Sequence, residues 1–481
     1  MRKKLFIKGS FISNKILIAI IIFIVYSTFV LLNLTKEPSV GGDELSFANI
    51  AHSLDKNEFN KLPGIFSRHI APSEKVLLIM YPPIYPWIIA ITTHFFGFNI
   101  YTLRLTSFAI GLLLLFFFFL ILRKIITNDI LTMSVLLLFA VDQAFIRSSR
   151  YGRPDILTAF FITLSLLFYI KTLEEDNNKN YFLTGLFCGL SFMTHLALGL
   201  IPLMLTTLHF LLTKRFRRSG FKKLLFLIMP ALIFFILWLI FVVLPLFLHN
   251  PGLFKNTVMV FKDKALRNKN YYANWIEFIK ADISYIYLIL LFPLILSLRN
   301  KNGIKSFLLL AYLFVYPYLL SIQSTWYAVW FTPIGCLVLL YLIREKNRYR
   351  QFFIVLVTII ISCGVVTQLR FAREQRGYSY ENYSKRVSGY LPIGANVLIL
   401  DIYPDPYIYL AAYRKDLKLE WDRKDAIKNA DYVIAGSSLN DMMEGRDEDV
   451  SYALSHSQSY VPINEWEYVI FKMKKNQGGQ E

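Results

Sequence analysis

The sequence predicts a polytopic α-helical membrane protein carrying a small α/β domain at its C-terminal end. Three observations predict it. Of the 481 residues, 55% are hydrophobic and 16% aromatic, with a mean hydropathy of +0.46, more apolar surface than a soluble chain of this length hides. The apolar residues gather in runs of roughly 20, enough helix to cross ~30 Å of hydrocarbon, and they do not alternate as barrel strands would. Charge divides the chain: residues 1–370 hold 38 Lys and Arg against 16 Asp and Glu, whereas 371–481 hold 14 against 17. The basic excess therefore belongs to the apolar part, where it suits loops beside anionic lipid and argues against a nucleic-acid partner.

Spans are expected near 16–34, 103–122, 130–147, 156–171, 181–194, 196–212, 223–248, 282–298, 304–321, 326–343 and 350–368, about eleven, give or take two. The first follows Met1-Arg-Lys-Lys and has no small-residue cleavage site, so it reads as a retained anchor starting in the cytoplasm. Pro82–Gly97 is apolar but only 16 residues long, reaching roughly 24 Å. Treating it as non-spanning puts Arg123-Lys124, the basic stretch 214–223, Arg299–Lys305 and Arg344–Arg350 all inside, as the positive-inside rule requires. On that parity 35–102, 148–155, 249–281 and 371–481 face outward across the plasma (inner) membrane. Cys188, Cys336 and Cys363 lie in apolar runs without CxxC spacing and read as packing residues.

Past residue 370 the pattern changes. Gly394–Asp401 and Ala430–Gly436 read as buried strands with a helical stretch near Arg423–Asn429 between them, and no Walker A or GxGxxG accompanies them. The domains are thus 1–370, membrane-embedded and catalytic, and 371–481, an outward-facing α/β module.

Polar residues that can carry chemistry gather on the outer face. Asp43-Glu44 open an amphipathic helical stretch, either as cap and dipole partner or as a carboxylate base held at the membrane surface. Tyr81-Pro-Pro-Ile-Tyr-Pro-Trp87 is a stiff entry into the short apolar segment, and Arg104 follows at a span start. Interfacial anchoring and phosphate binding both fit them. Arg147, Arg150 and Arg153 stand at spacing three beside Asp155, more cationic density at membrane depth than snorkelling needs. His195 sits at the junction of two short spans, where a structural hydrogen bond and a ligand role stand equal. Trp326-Tyr327 marks another outer span start and suits the aromatic belt. Lys262, Lys264 and Arg267 break the positive-inside rule in 249–281; they either contact lipid head groups or form a mobile loop closing over an anionic substrate.

Taken in order, these residues resemble the GT-C glycosyltransferases, specifically the branch of protein O-mannosyltransferases and lipid A aminoarabinose transferases, glycosyltransferase family 39. The likeness runs over most of 16–250: an acid pair after the first span, a Pro-Pro-hydrophobic motif, Gly97 to Arg104-Leu-Thr-Ser, then Arg150-x-x-Arg153-Pro-Asp155. The resemblance implies inverting transfer of a hexosyl or pentosyl group from a polyprenyl-phosphate carrier to a lipid, polysaccharide or protein acceptor at the outer face. It makes Asp43 the catalytic base, with Glu44 beside it and Asp155 the second-loop acid. Arg104, Arg150, Arg153, His195, Tyr81 and Tyr327 are then the groups around the donor phosphate. Tyr81 stands where many relatives have Lys or His, Ser46-Phe47 where the aminoarabinose transferases have Arg-Tyr, and His195 where relatives often have Lys. His195 can replace that cation only if protonated or metal-bound, so a divalent metal on Asp43, Asp155 and His195 is part of the expectation. The competing reading is a non-catalytic transporter of lipid-linked saccharide; its mark would be polar residues mid-span, and these spans are almost uncharged there.

Overall fold

The computed structural model describes residues 9–34, 81–213, 218–249, 329–344, 350–373, 380–401, 416–421, 424–436, 448–463 and 468–474, with scattered positions among 44–51, 251–259, 303–311 and 410–414. Asp43, Tyr327, Lys262, Lys264 and Arg267 lie outside the described residues, as do the expected span 282–298, most of 304–321 and the start of 326–343. The chain divides into two compact units: Met1–Leu34 with Pro72–Tyr85 and Arg104–Gln375, and Thr35–Ala71 with Pro86–Leu103 and Arg376–Glu481.

Helix α1 covers Gly9–Leu31, α2 Ile84–Phe96 and α3 Ile100–Ile125. The 13 residues of α2 reach about 20 Å, too short to span. Asn99 starts α3 by accepting from the Thr102 amide at 2.9 Å, as an N-cap does. Next come α4 (Asp129–Ala140) and α5 (Gln143–Arg150), bent 52° from each other. The stretch expected as a span at 130–147 is thus bent, and the helix runs on to Arg150, into the loop expected at 148–155. Asp142 breaks the run because its carboxylate caps α5, accepting from the Phe145 amide at 2.9 Å, and so starts a new helix inside an apolar stretch. Arg147 and Arg150 consequently ride on a helix.

Helix α6 (Asp155–Glu174) packs on α7 (Asn178–Phe192), and α7 packs on α10 (Arg218–Trp238). Gly185 permits the second contact, since a Cβ there would meet the Leu227 carbonyl oxygen. Between α7 and α10 lie the short α8 (Leu196–Gly199) and α9 (Ile201–Thr213). A π-turn at Leu239–Val243 leads into α11 (Leu244–His249). Helices α12 (Thr332–Arg344) and α13 (Arg350–Arg373) follow. Among the described residues, three helices are long and apolar enough to cross a membrane, four if the bent pair counts as one span. Large apolar side chains such as Ile24 on α1, Phe116 on α3 and Ile236 on α10 remain exposed, as lipid-facing surface requires.

The second unit carries α14 (Tyr380–Tyr390), β1 (Asn396–Asp401), β2 (Lys418–Trp421), β3 (Tyr432–Gly436), α15 (Glu448–His456), β4 (Ser457–Ile463) and β5 (Tyr468–Met473). The sheet order is β2-β1-β3-β5-β4, parallel across β2, β1 and β3 and antiparallel beyond. Leu398, Val433, Ala435, Val469 and Phe471 form its buried core. The two expected strands are present as β1 and β3, and the expected helical stretch is a 3-10 turn at Lys424–Asn429. In the same unit residues 44, 47, 48, 50 and 51 are helical and buried, spaced over about half the circumference of a helix.

Candidate active site

Four of the expected residues converge within the first unit. Arg153 Nε donates to Asp155 Oδ2 at 2.8 Å, and both side chains are buried, 7% and 1% exposed. Asp155 opens α6, where a carboxylate also meets the positive end of the helix dipole. The His195 ring lies edge-on to Tyr81, centroids 4.7 Å apart, and edge-on to Trp330 at 5.1 Å. Trp330 in turn donates its indole N–H to the Asp155 carbonyl at 2.9 Å. Three sequence motifs, Tyr81-Pro-Pro, Arg153-Pro-Asp155 and Thr194-His195, are thus joined in one cluster. Thr158 and Thr194 share a hydroxyl hydrogen bond of 2.9 Å, fixing α6 to the junction that bears His195. Trp330 was not among the residues the sequence singled out; its place in an aromatic-rich span start beside Pro333 resembles an interfacial belt, which hides a hydrogen-bonding indole.

Burial favours the neutral form of His195. Burial and the nearby Arg153 guanidinium lower its pKa from 6.5 to about 3. Its Nδ1 accepts from the Leu198 amide at 3.5 Å, capping α8, so the ring proton belongs on Nε2. With its pKa lowered, the ring favours offering a neutral N–H over a cation. Of the expected metal set, Asp43 lies outside the described residues, and Asp155 and His195 have other contacts. Asp155 already faces a guanidinium, His195 Nδ1 is committed to a backbone amide, and no group of three His, Cys, Asp or Glu stands together among the described residues.

Arg104 and Arg150 form a second group. Arg104 Nη1 donates to the Leu34 carbonyl at 2.6 Å. Arg150 donates through Nε to Val30 O at 3.1 Å and through Nη2 to Leu32 O. The Arg104 guanidinium also lies 5.6 Å from the centre of the Tyr151 ring, a cation–π distance. Glu44, in the other unit, is fully buried.

Residues 80–243 match the family described as dolichyl-phosphate-mannose-protein mannosyltransferase, a stretch that includes Tyr81, Arg104, Arg150, Arg153, Asp155 and His195. The structure superposes on ArnT from Cupriavidus metallidurans, both in the apo state (TM-score 0.63, 12% identity, 98% of this chain and 99% of that one) and bound to undecaprenyl phosphate (TM-score 0.61, 12% identity, 97% and 98%). The fold is that of the GT-C membrane glycosyltransferases. The fold is also similar to that of the Archaeoglobus fulgidus oligosaccharyltransferase (TM-score 0.53, 12% identity, 97% and 74%). In sequence, the chain is 26% identical over 197 residues to the undecaprenyl phosphate-alpha-4-amino-4-deoxy-L-arabinose arabinosyl transferase of Wigglesworthia glossinidia brevipalpis. That match spans 40% of this chain and a third of the relative's length.

Proposed function

We propose that this chain is an integral-membrane glycosyltransferase that moves a hexosyl or pentosyl group from a polyprenyl-phosphate carrier to an acceptor at the outer face, with inversion. The observation that carries the reading is the convergence of Tyr81, Arg153, Asp155 and His195 from three distant motifs in one buried cluster, all inside the stretch that matches the mannosyltransferase family. The GT-C fold adds support.

The chemistry follows from the groups present. An acceptor hydroxyl attacks the sugar C1 while the C1–O bond to phosphate breaks, and the electron pair leaves on the polyprenyl phosphate. Phosphate is already a good leaving group, so what it needs is a fixed donor set for its growing charge. Arg153 supplies the cation, oriented by Asp155. The His195 Nε2–H and the Tyr81 hydroxyl supply neutral donors. Asp43 orients the acceptor hydroxyl and receives its proton as the new bond forms, with Glu44 beside it in sequence. Lys262, Lys264 and Arg267 belong to a basic loop that suits closure over the anionic donor. Tyr327, three residues before Trp330, is a further phosphate contact. The N-terminus is cytoplasmic and the 371–481 domain outward-facing in this reading, which follows the basic loops.

Asp43→Asn tests the assignment. The variant should insert and fold like the parent, with thermal unfolding in detergent unchanged, while transfer from a polyprenyl-phosphate sugar falls at least 100-fold. Full transfer by the variant removes Asp43 from the mechanism.

A further inference from the structure

We infer that Arg104 and Arg150 are positioning residues for the end of α1 and are not part of the donor-phosphate grip, an inference that rests on the transferase reading for its effect on turnover. An α-helix leaves its last four carbonyls without intrahelical donors, and in hydrocarbon or protein interior each unsatisfied one is costly. Helix α1 carries no basic residue in its own last turn. The chain leaves the helix through a turn in which Asn33 takes φ +55°, and two distant guanidinium groups reach the carbonyls of Val30, in the last turn of α1, and of Leu32 and Leu34, in the turn that follows. Arg150 comes from α5 and Arg104 from α3, and they are 5% and 0% exposed.

The geometry explains why both are arginine. Arg150 uses two nitrogens of one planar fork to bridge carbonyls two residues apart, which a single ammonium cannot do with the same alignment. Arg104 takes the Leu34 carbonyl, and its guanidinium is also held over Tyr151, the residue that follows Arg150. A positive charge at a helix C-terminus is favourable in itself, by up to ~2 kcal/mol where partly buried. The two residues therefore fix the point at which the chain leaves α1, and Asp43 follows Leu34 by nine residues in sequence. Loss of this anchor acts on the acid-bearing segment through the backbone and leaves the donor's charge contacts untouched.

The test separates anchoring from phosphate binding with purified full-length protein. Arg104→Gln, Arg150→Gln and the milder Arg150→Lys are compared with Arg153→Gln. Hydrogen exchange is followed for peptides covering residues 28–40, and binding of undecaprenyl phosphate is measured by direct titration. The α1 variants should exchange at least 10-fold faster in that segment, bind undecaprenyl phosphate within 3-fold of the parent and, with an active donor, lose kcat at least 10-fold at a KM for donor within 3-fold. Arg153→Gln should show the reverse, with weakened binding. The lysine variant retains a fold if the glutamine ones do not. Binding weakened 10-fold or more in the α1 variants, or exchange unchanged, overturns the inference. Both readouts stand without turnover, so failure to find an active donor would count against the transferase reading alone.

Discussion

Arg153 and Asp155 sit where neither charge has water to fall back on, so each depends on the other. Removing one partner of such a pair typically costs about 3–5 kcal/mol, because the remaining charge is buried and unsatisfied. That dependence keeps the guanidinium aimed. His195 shows the complementary case, a titratable group whose burial favours the neutral form. Its folded pKa, about 3, lies below the unfolded value, so the unfolded chain binds the proton first. The native state is therefore at full strength above about pH 6.5 and loses stability as pH falls toward the folded pKa. Between pH 6.5 and 5.5 the loss from this one residue is about 1 kcal/mol. His195→Asn retains a capping side chain for α8 but removes the proton site. Its unfolding midpoint in detergent should fall less than that of the parent over that pH interval; equal falls would show that the imidazole is charged, or equally accessible, in both states. The candidate residues were legible in sequence because a charge or ring beside an apolar run is a local signal. Their partners were not: Arg104 and Arg150 bind carbonyl oxygens, which every residue carries and no motif marks.

Elements in this protein are positioned by a few close contacts between helices. Gly111 on α3 is one, since a Cβ there would meet the Tyr26 hydroxyl and lie 2.7 Å from Ser149 Oγ. Tyr26 also stacks on Phe145 of α5, centroids 4.8 Å apart, so α1, α3 and α5 meet at this point. Gly111→Ala should cost about 1–3 kcal/mol through overpacking, read as a lower unfolding temperature, and Tyr26→Phe in the same chain should recover part of it. No change on adding the methyl group would mean the helices are not this close. Hydrophobic length made the helices legible, but not the break at Asp142. One acid in an otherwise apolar run reads as an interruption of a span until its carboxylate is found on the Phe145 amide. Strands β1 and β3 are continuous apolar runs and were legible. β4, with Ser457, Ser459 and Pro462, mixes polar and apolar residues as an edge strand does, and it was not.

For the whole molecule, composition points to the class and the basic loops to the orientation expected of it, while the superposition on ArnT over nearly the full length of both chains identifies the fold. Site chemistry concentrates at the ends of helices, where backbone groups and arginines are already in contact. The named sugar and acceptor depend on cavity walls formed by loops, so fold alone does not choose them. The central claim is that donor cleavage occurs at this site. The most direct measurement incubates the purified full-length protein with a panel of polyprenyl-phosphate hexoses and pentoses in the presence of envelope acceptor extract, following release of free polyprenyl phosphate. At least one donor should be turned over, with the Asp43→Asn protein silent on the same donor. Release at the same rate from parent and variant, or no release from any donor while the folded protein binds polyprenyl phosphate, would contradict the account.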